Sequence, residues 1–183
     1  MDVMVTFFIL LVFYKKRLDF TFFNPPINIK KGIWAICIAI PCISILEFIV
    51  EYIMIDMLHY KPFQQDMSAY LEYFSKVSMP VFYLFSFSCV IIAPVVEEIV
   101  FRGILQNITV KWFGFFWGLV IPALIFSVLH CEFNEGVSNI ALMLSIFPAA
   151  LFMGYLYSMT GSLHLCILFH SIHNLIGCVI AML

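Results

Sequence analysis

Charge is what this sequence has least of. Only 11% of its 183 residues are Asp, Glu, Lys or Arg, against 64% apolar, whereas a soluble domain carries roughly 25% charged and about 45–50% apolar residues. So few charges cannot build a water-facing surface, and lipid must be the solvent over most of the chain. Paired cysteines are missing as well. Cys37, Cys42, Cys89, Cys131, Cys166 and Cys178 contain no CxxC spacing and lie mostly inside apolar runs, which argues against a zinc knot or disulfide frame and for small core residues. The period-two alternation of a β-barrel is absent. So are an internal repeat, a low-complexity tract and the GxSxG signature of a nucleophilic serine.

Long apolar runs take the place of what is missing. At about 20 residues per crossing, the chain predicts an all-α, polytopic transmembrane helical bundle of six to seven helices with no separate soluble domain. A short first helix is expected over residues 3–14, followed by basic residues that include Lys15, Lys16, Arg17, Lys30 and Lys31. Positive charge after the apolar run is the reverse of a cleavable signal peptide, and it marks that loop as cytoplasmic. A second span is expected over 33–55, then a polar loop over 56–77 with an interfacial helix near 69–74. Further spans are expected over 78–93, 95–112, 115–130, 137–157 and 163–182. Residues 1–77 thus read as N-terminal membrane helices with a polar loop and no motif. Residues 78–183 carry the chemistry.

Taken as one helix, residues 78–112 would be ~52 Å long, far beyond a ~30 Å hydrocarbon core. Pro94 is the expected break into two antiparallel helices. That arrangement places Glu97 and His130 on one side of the membrane.

A charged group at membrane depth costs at least ~2.5–3.5 kcal/mol, so Glu97, Glu98 and Arg102 within a turn and a half require an explanation. Glu98 and Arg102 are four apart and share a helix face, while Glu97 lies about 100° away. Arg102 is expected to neutralise Glu98 and leave Glu97 available. The competing reading is a buried ion-pair network that orients helices. His130, one turn after Phe126, is either an interfacial residue or a catalytic one. His170 and Asn174 form a polar stripe inside an apolar helix, either for helix–helix hydrogen bonding or for chemistry. A carboxylate base, histidines and an amide can activate a water and hold an oxyanion; they are also close to a zinc ligand inventory.

Three segments carry a resemblance. Glu97-Glu98-Ile99-Val100-Phe101-Arg102 is similar to the EExxxR motif of the CPBP family, also called Abi or CAAX-protease-like. Phe126-Ser127-Val128-Leu129-His130 is similar to its FxxxH motif, and His170-Ser171-Ile172-His173-Asn174 to its HxxxN motif. The resemblance implies an intramembrane endopeptidase that cleaves membrane-associated peptide or protein substrates with an activated water. Glu97 and His130 would activate the water, His170 and Asn174 would stabilise the oxyanion, and Glu98 and Arg102 would support them. No cofactor is favoured; in a zinc-dependent version Glu97, His130 and His170 would be the ligands. The family points to peptide maturation or bacteriocin self-immunity in a bacterial cell membrane. The lipid bilayer is the expected surrounding, and no nucleic-acid partner is expected. The competing class is a non-enzymatic immunity or scaffold protein that binds a peptide or sensor. A transporter is disfavoured by the lack of repeat symmetry.

Overall fold

The computed structural model describes residues 29–54, 59, 66–131, 136 and 138–180. Among them are five helices and no strand: α1 (Ile29–Tyr52), α2 (Asp66–Val77), α3 (Met79–Leu129), α4 (Ser138–Thr160) and α5 (Leu163–Ile180). All but α2 are long and apolar enough to cross a membrane. The fold is therefore all-helical and multi-pass, although five helices among the described residues do not make up the six or seven expected. The helix expected over 3–14 and the basic loop up to residue 28 lie outside the described residues, as does loop 132–135.

The outer faces carry large exposed apolar side chains, among them Trp34, Phe48, Leu84 and Phe116. In water such a surface would aggregate; against acyl chains it is the expected exterior. Inside, α1 packs on α4 and α5 through Ile36, Ala39, Ile43, Met153, Leu156, Leu165 and Phe169. A second cluster, Val100, Phe101, Ala123, Phe126 and Ala150, joins α3 to α4.

The expected break at Pro94 is not there. Backbone torsions stay helical through Ile92 (φ −70, ψ −48) and Ala93 (φ −60, ψ −50), and α3 continues past the proline. Two features allow this. The residues before Pro94, Ser88–Ile92, form a π-helical turn in which the Ala93 N–H donates to Ser88 O, so the hydrogen-bond ladder is already shifted where the proline lacks its donor. Asn174 from α5 then donates its side-chain amide to Cys89 O at 3.0 Å. A neighbouring helix can satisfy backbone groups that proline frees inside a membrane.

The chain reverses instead at Gly114, whose φ of 79° and ψ of 177° interrupt α3. This pairing of angles is open essentially only to glycine. It divides α3 into a first arm, residues 79–113, and an antiparallel second arm, residues 115–129. The arms lie very close: a Cβ on Gly118 would stand 2.7 Å from the Val110 Cα and 2.9 Å from its N, and Thr109 Oγ1 donates to Gly118 O at 3.2 Å. Gly118→Ala should force the arms apart. Overpacking of this kind typically costs about 1–3 kcal/mol, to be read as a lower unfolding temperature of the purified protein in detergent.

A second π-helical stretch, Ile99–Gln106, follows. Asn107 Nδ2 donates to the carbonyls of Gly103 (2.7 Å) and Arg102 (3.3 Å), which covers backbone that the wider turn leaves loosely paired. Such stretches recur at functional sites because they redirect side chains without ending a helix.

Candidate active site

Glu98 and His130 are each sixteen residues from Gly114, so the antiparallel arms bring them to the same level. The level shared by the acidic motif and His130 thus arises from the turn at Gly114, not from Pro94. The contacts fit this. The Arg102 guanidinium lies 5.1 Å from the centroid of the Phe126 ring, and the His130 ring lies tilted against that ring, centroids 4.5 Å apart. The His170 ring meets Phe126 edge-on at 5.8 Å. The buried Phe126 is the hub on which all three motifs converge.

Around this hub the polar groups divide. Arg102 Nη1 donates to Glu98 Oε1 at 2.9 Å, and Nη2 donates to Ala150 O at 3.0 Å. Both side chains are almost wholly buried, at 2% and 0% exposure. The same Glu98 Oε1 accepts His170 Nδ1 at 3.0 Å. His170 Nε2 then faces Glu97 Oε2 at 3.7 Å, and the Glu97 side chain keeps 16% of its surface open. Spacing alone predicted this separation: one carboxylate enclosed with arginine, the other reachable.

Nδ1 of His130 lies 2.7 Å from Phe126 O, and a carbonyl can only accept, so Nδ1 carries a hydrogen; in the neutral ring the lone pair is then on Nε2. His130 is exposed at the end of the second arm, so its Nε2 edge is open to a further partner. Asn174 is arranged as a donor. One N–H of its amide is on Cys89 O, and the other remains for a further acceptor.

In a zinc-dependent version the ligands would be Glu97, His130 and His170. Among the described residues, no three His, Cys, Asp or Glu side chains are grouped as a metal ion would require. His170 and His130 each commit Nδ1 to an oxygen acceptor, which leaves Nε2 as the ring nitrogen either could offer to a metal.

Sequence reasoning missed one polar tie. His173 Nε2 lies 2.9 Å from Glu47 Oε1 of α1, and its ring stacks on Phe169 at 6.0 Å. The available signal was Glu47 itself, an acidic residue inside an apolar span, which at that depth needs a partner.

Depth follows from the turn. Trp112, Phe113, Phe115, Phe116 and Trp117 are all exposed around Gly114, the composition of a membrane interface. Sixteen helical residues extend at most ~24 Å, so Glu98 and His130 stand less than one ~30 Å hydrocarbon thickness from the aromatic turn.

The family model described as type II CAAX prenyl endopeptidase, Rce1-like, matches residues 79–176. That span covers more than half of the chain and holds all three motifs. No curated protein and no solved structure matches.

Proposed function

The chain belongs to the Rce1-like family of type II CAAX prenyl endopeptidases, and from that premise we propose that it is an intramembrane endopeptidase whose attacking water is activated at Glu97 and His130. The observation that carries the reading is the division between the two glutamates. Glu98 is enclosed with Arg102, while Glu97 stands partly open, 3.7 Å from His170 Nε2. A base must be reachable by water, and a buried ion pair is not.

In this mechanism Glu97 takes a proton from the water, and the lone pair on His130 Nε2 holds that water by accepting its second hydrogen. The hydroxide oxygen forms a bond to the scissile carbonyl carbon, and the carbonyl π electrons move to oxygen. Asn174 and the Nε2 side of His170 stabilise that oxyanion, which requires a hydrogen on Nε2. Nδ1 already donates to Glu98, so His170 acts as an imidazolium when it does this. Its charge and that of Arg102 then offset the Glu98 carboxylate and the oxyanion. Collapse of the intermediate breaks the C–N bond, and the proton held by Glu97 passes to the leaving amine.

The substrate class we propose is a membrane-associated peptide or protein presented to a site inside the hydrocarbon region. Peptide maturation or self-immunity against a bacteriocin is the proposed setting. Usage rich in Ile and Phe, with Lys outnumbering Arg, is compatible with an AT-rich bacterial genome and favours a peptide precursor over a prenylated protein.

The test is cleavage of a lipid-anchored peptide by protein reconstituted in liposomes. Wild type should cleave, and chelation of divalent metals should leave the rate unchanged. Asn174→Ala should retain slow cleavage, since loss of one oxyanion donor typically lowers kcat by about 10²–10³. Activity that disappears on chelation and returns with stoichiometric zinc would overturn the metal-free mechanism. Absence of cleavage by wild type across a panel of anchored peptides would count against the peptidase reading.

A further inference from the structure

Pro94 stands one turn before Glu97 and is fully buried, yet nothing in the chemistry above uses it. In the π-helical turn that precedes it, each N–H reaches back five residues, as the Ala93 N–H does to Ser88 O. The next bond in that ladder would run from residue 94 to Cys89 O. Residue 94 is a proline and has no N–H. Cys89 O therefore lacks that backbone donor, and it is Cys89 O that receives the amide of Asn174 at 3.0 Å. Proline and asparagine lie eighty residues apart in the chain and meet at one carbonyl.

We propose that Pro94 is a positioning residue for Asn174: by withholding a backbone donor from Cys89 O, it creates the acceptor that anchors the asparagine amide beside the acidic motif. The catalytic consequence rests on the endopeptidase reading; the anchoring does not. An amide nitrogen has two hydrogens in one plane. Once one is fixed on Cys89 O, the direction of the other is set before substrate arrives, and a preorganised donor has no reorganisation left to make when charge develops. An ordinary residue at position 94 would supply its own N–H to Cys89 O and free the side chain of Asn174 to rotate. The same proline that sequence rules mark as a helix break acts here as a socket for a residue on another helix.

The decisive experiment is a double-mutant cycle on thermal unfolding in detergent, with Pro94→Ala, Asn174→Ala and the double variant. This readout needs no substrate. With Pro94 in place, Asn174→Ala leaves Cys89 O unpaired in an apolar surrounding, and the unfolding temperature should fall by roughly 3–10 °C. In the Pro94→Ala background, where a backbone N–H can take over, the same substitution should lower it by less than half as much. Equal shifts in the two backgrounds overturn the proposal, whatever Pro94→Ala does alone through the smaller side chain it leaves at a buried position.

Kinetics then test the consequence. Pro94→Ala should lower kcat about tenfold with KM changed less than about twofold, since a misplaced donor weakens transition-state stabilisation more than substrate binding. An unchanged kcat together with a positive stability cycle confines Pro94 to anchoring and overturns its catalytic part. If wild-type protein cleaves no anchored peptide, the peptidase reading fails, while the stability cycle still decides whether Pro94 anchors Asn174.

Discussion

Glu97→Gln should abolish peptide cleavage and leave the reconstituted protein folded at wild-type abundance. The expectation follows from position. The Glu97 side chain is partly open and its described partner is His170 Nε2 at 3.7 Å, too long for a hydrogen bond, so a neutral amide of the same shape removes the base and gives up only a long, partly exposed contact with the imidazole. Glu98→Gln differs in kind. It takes the negative charge away from a guanidinium that is 2% exposed and should lower abundance and thermal stability along with activity. The separation is measured by turnover per folded molecule against unfolding temperature for both variants. If Glu97→Gln loses stability as severely as Glu98→Gln, the two glutamates share one structural role and the proposed base is elsewhere.

Local spacing explains why some of this could be read from the sequence and some could not. The Glu98–Arg102 pair and the separate setting of Glu97 are consequences of helical geometry over five residues, and the structure holds the pair at 2.9 Å. The apolar spans were legible because lipid imposes length and composition on them. The break in α3 was not. Pro94 has the stronger local signal, a missing donor and a ring that opposes the preceding turn, but the donor that compensates for it comes from Asn174, which no window around Pro94 contains. Gly114 has the weaker local signal, since glycine is common in membrane helices, and only the close contact of Gly118 with Val110 shows why the chain must turn there. The tie between Glu47 and His173, 126 residues apart, is of the same non-local kind.

Arg102→Leu should be among the most destabilising single substitutions in the chain. It would strip Glu98, wholly buried, of its guanidinium partner and leave Ala150 O without the donor that reaches it at 3.0 Å. Breaking a buried ion pair by removing one member typically costs about 3–5 kcal/mol, and water cannot readily enter to compensate. The remaining carboxylate would keep only the imidazole of His170, at 3.0 Å. Pairing the change with Glu98→Gln should recover much of the loss, because a neutral amide needs no counter-charge and its oxygen can still accept from His170 Nδ1. Unfolding temperatures of the two single variants and the double variant measure this directly. An Arg102→Leu protein as stable as wild type would mean that Glu98 is held neutral without Arg102. A double variant no better than Arg102→Leu would mean that the arginine acts chiefly through Ala150 and the Phe126 ring rather than through Glu98.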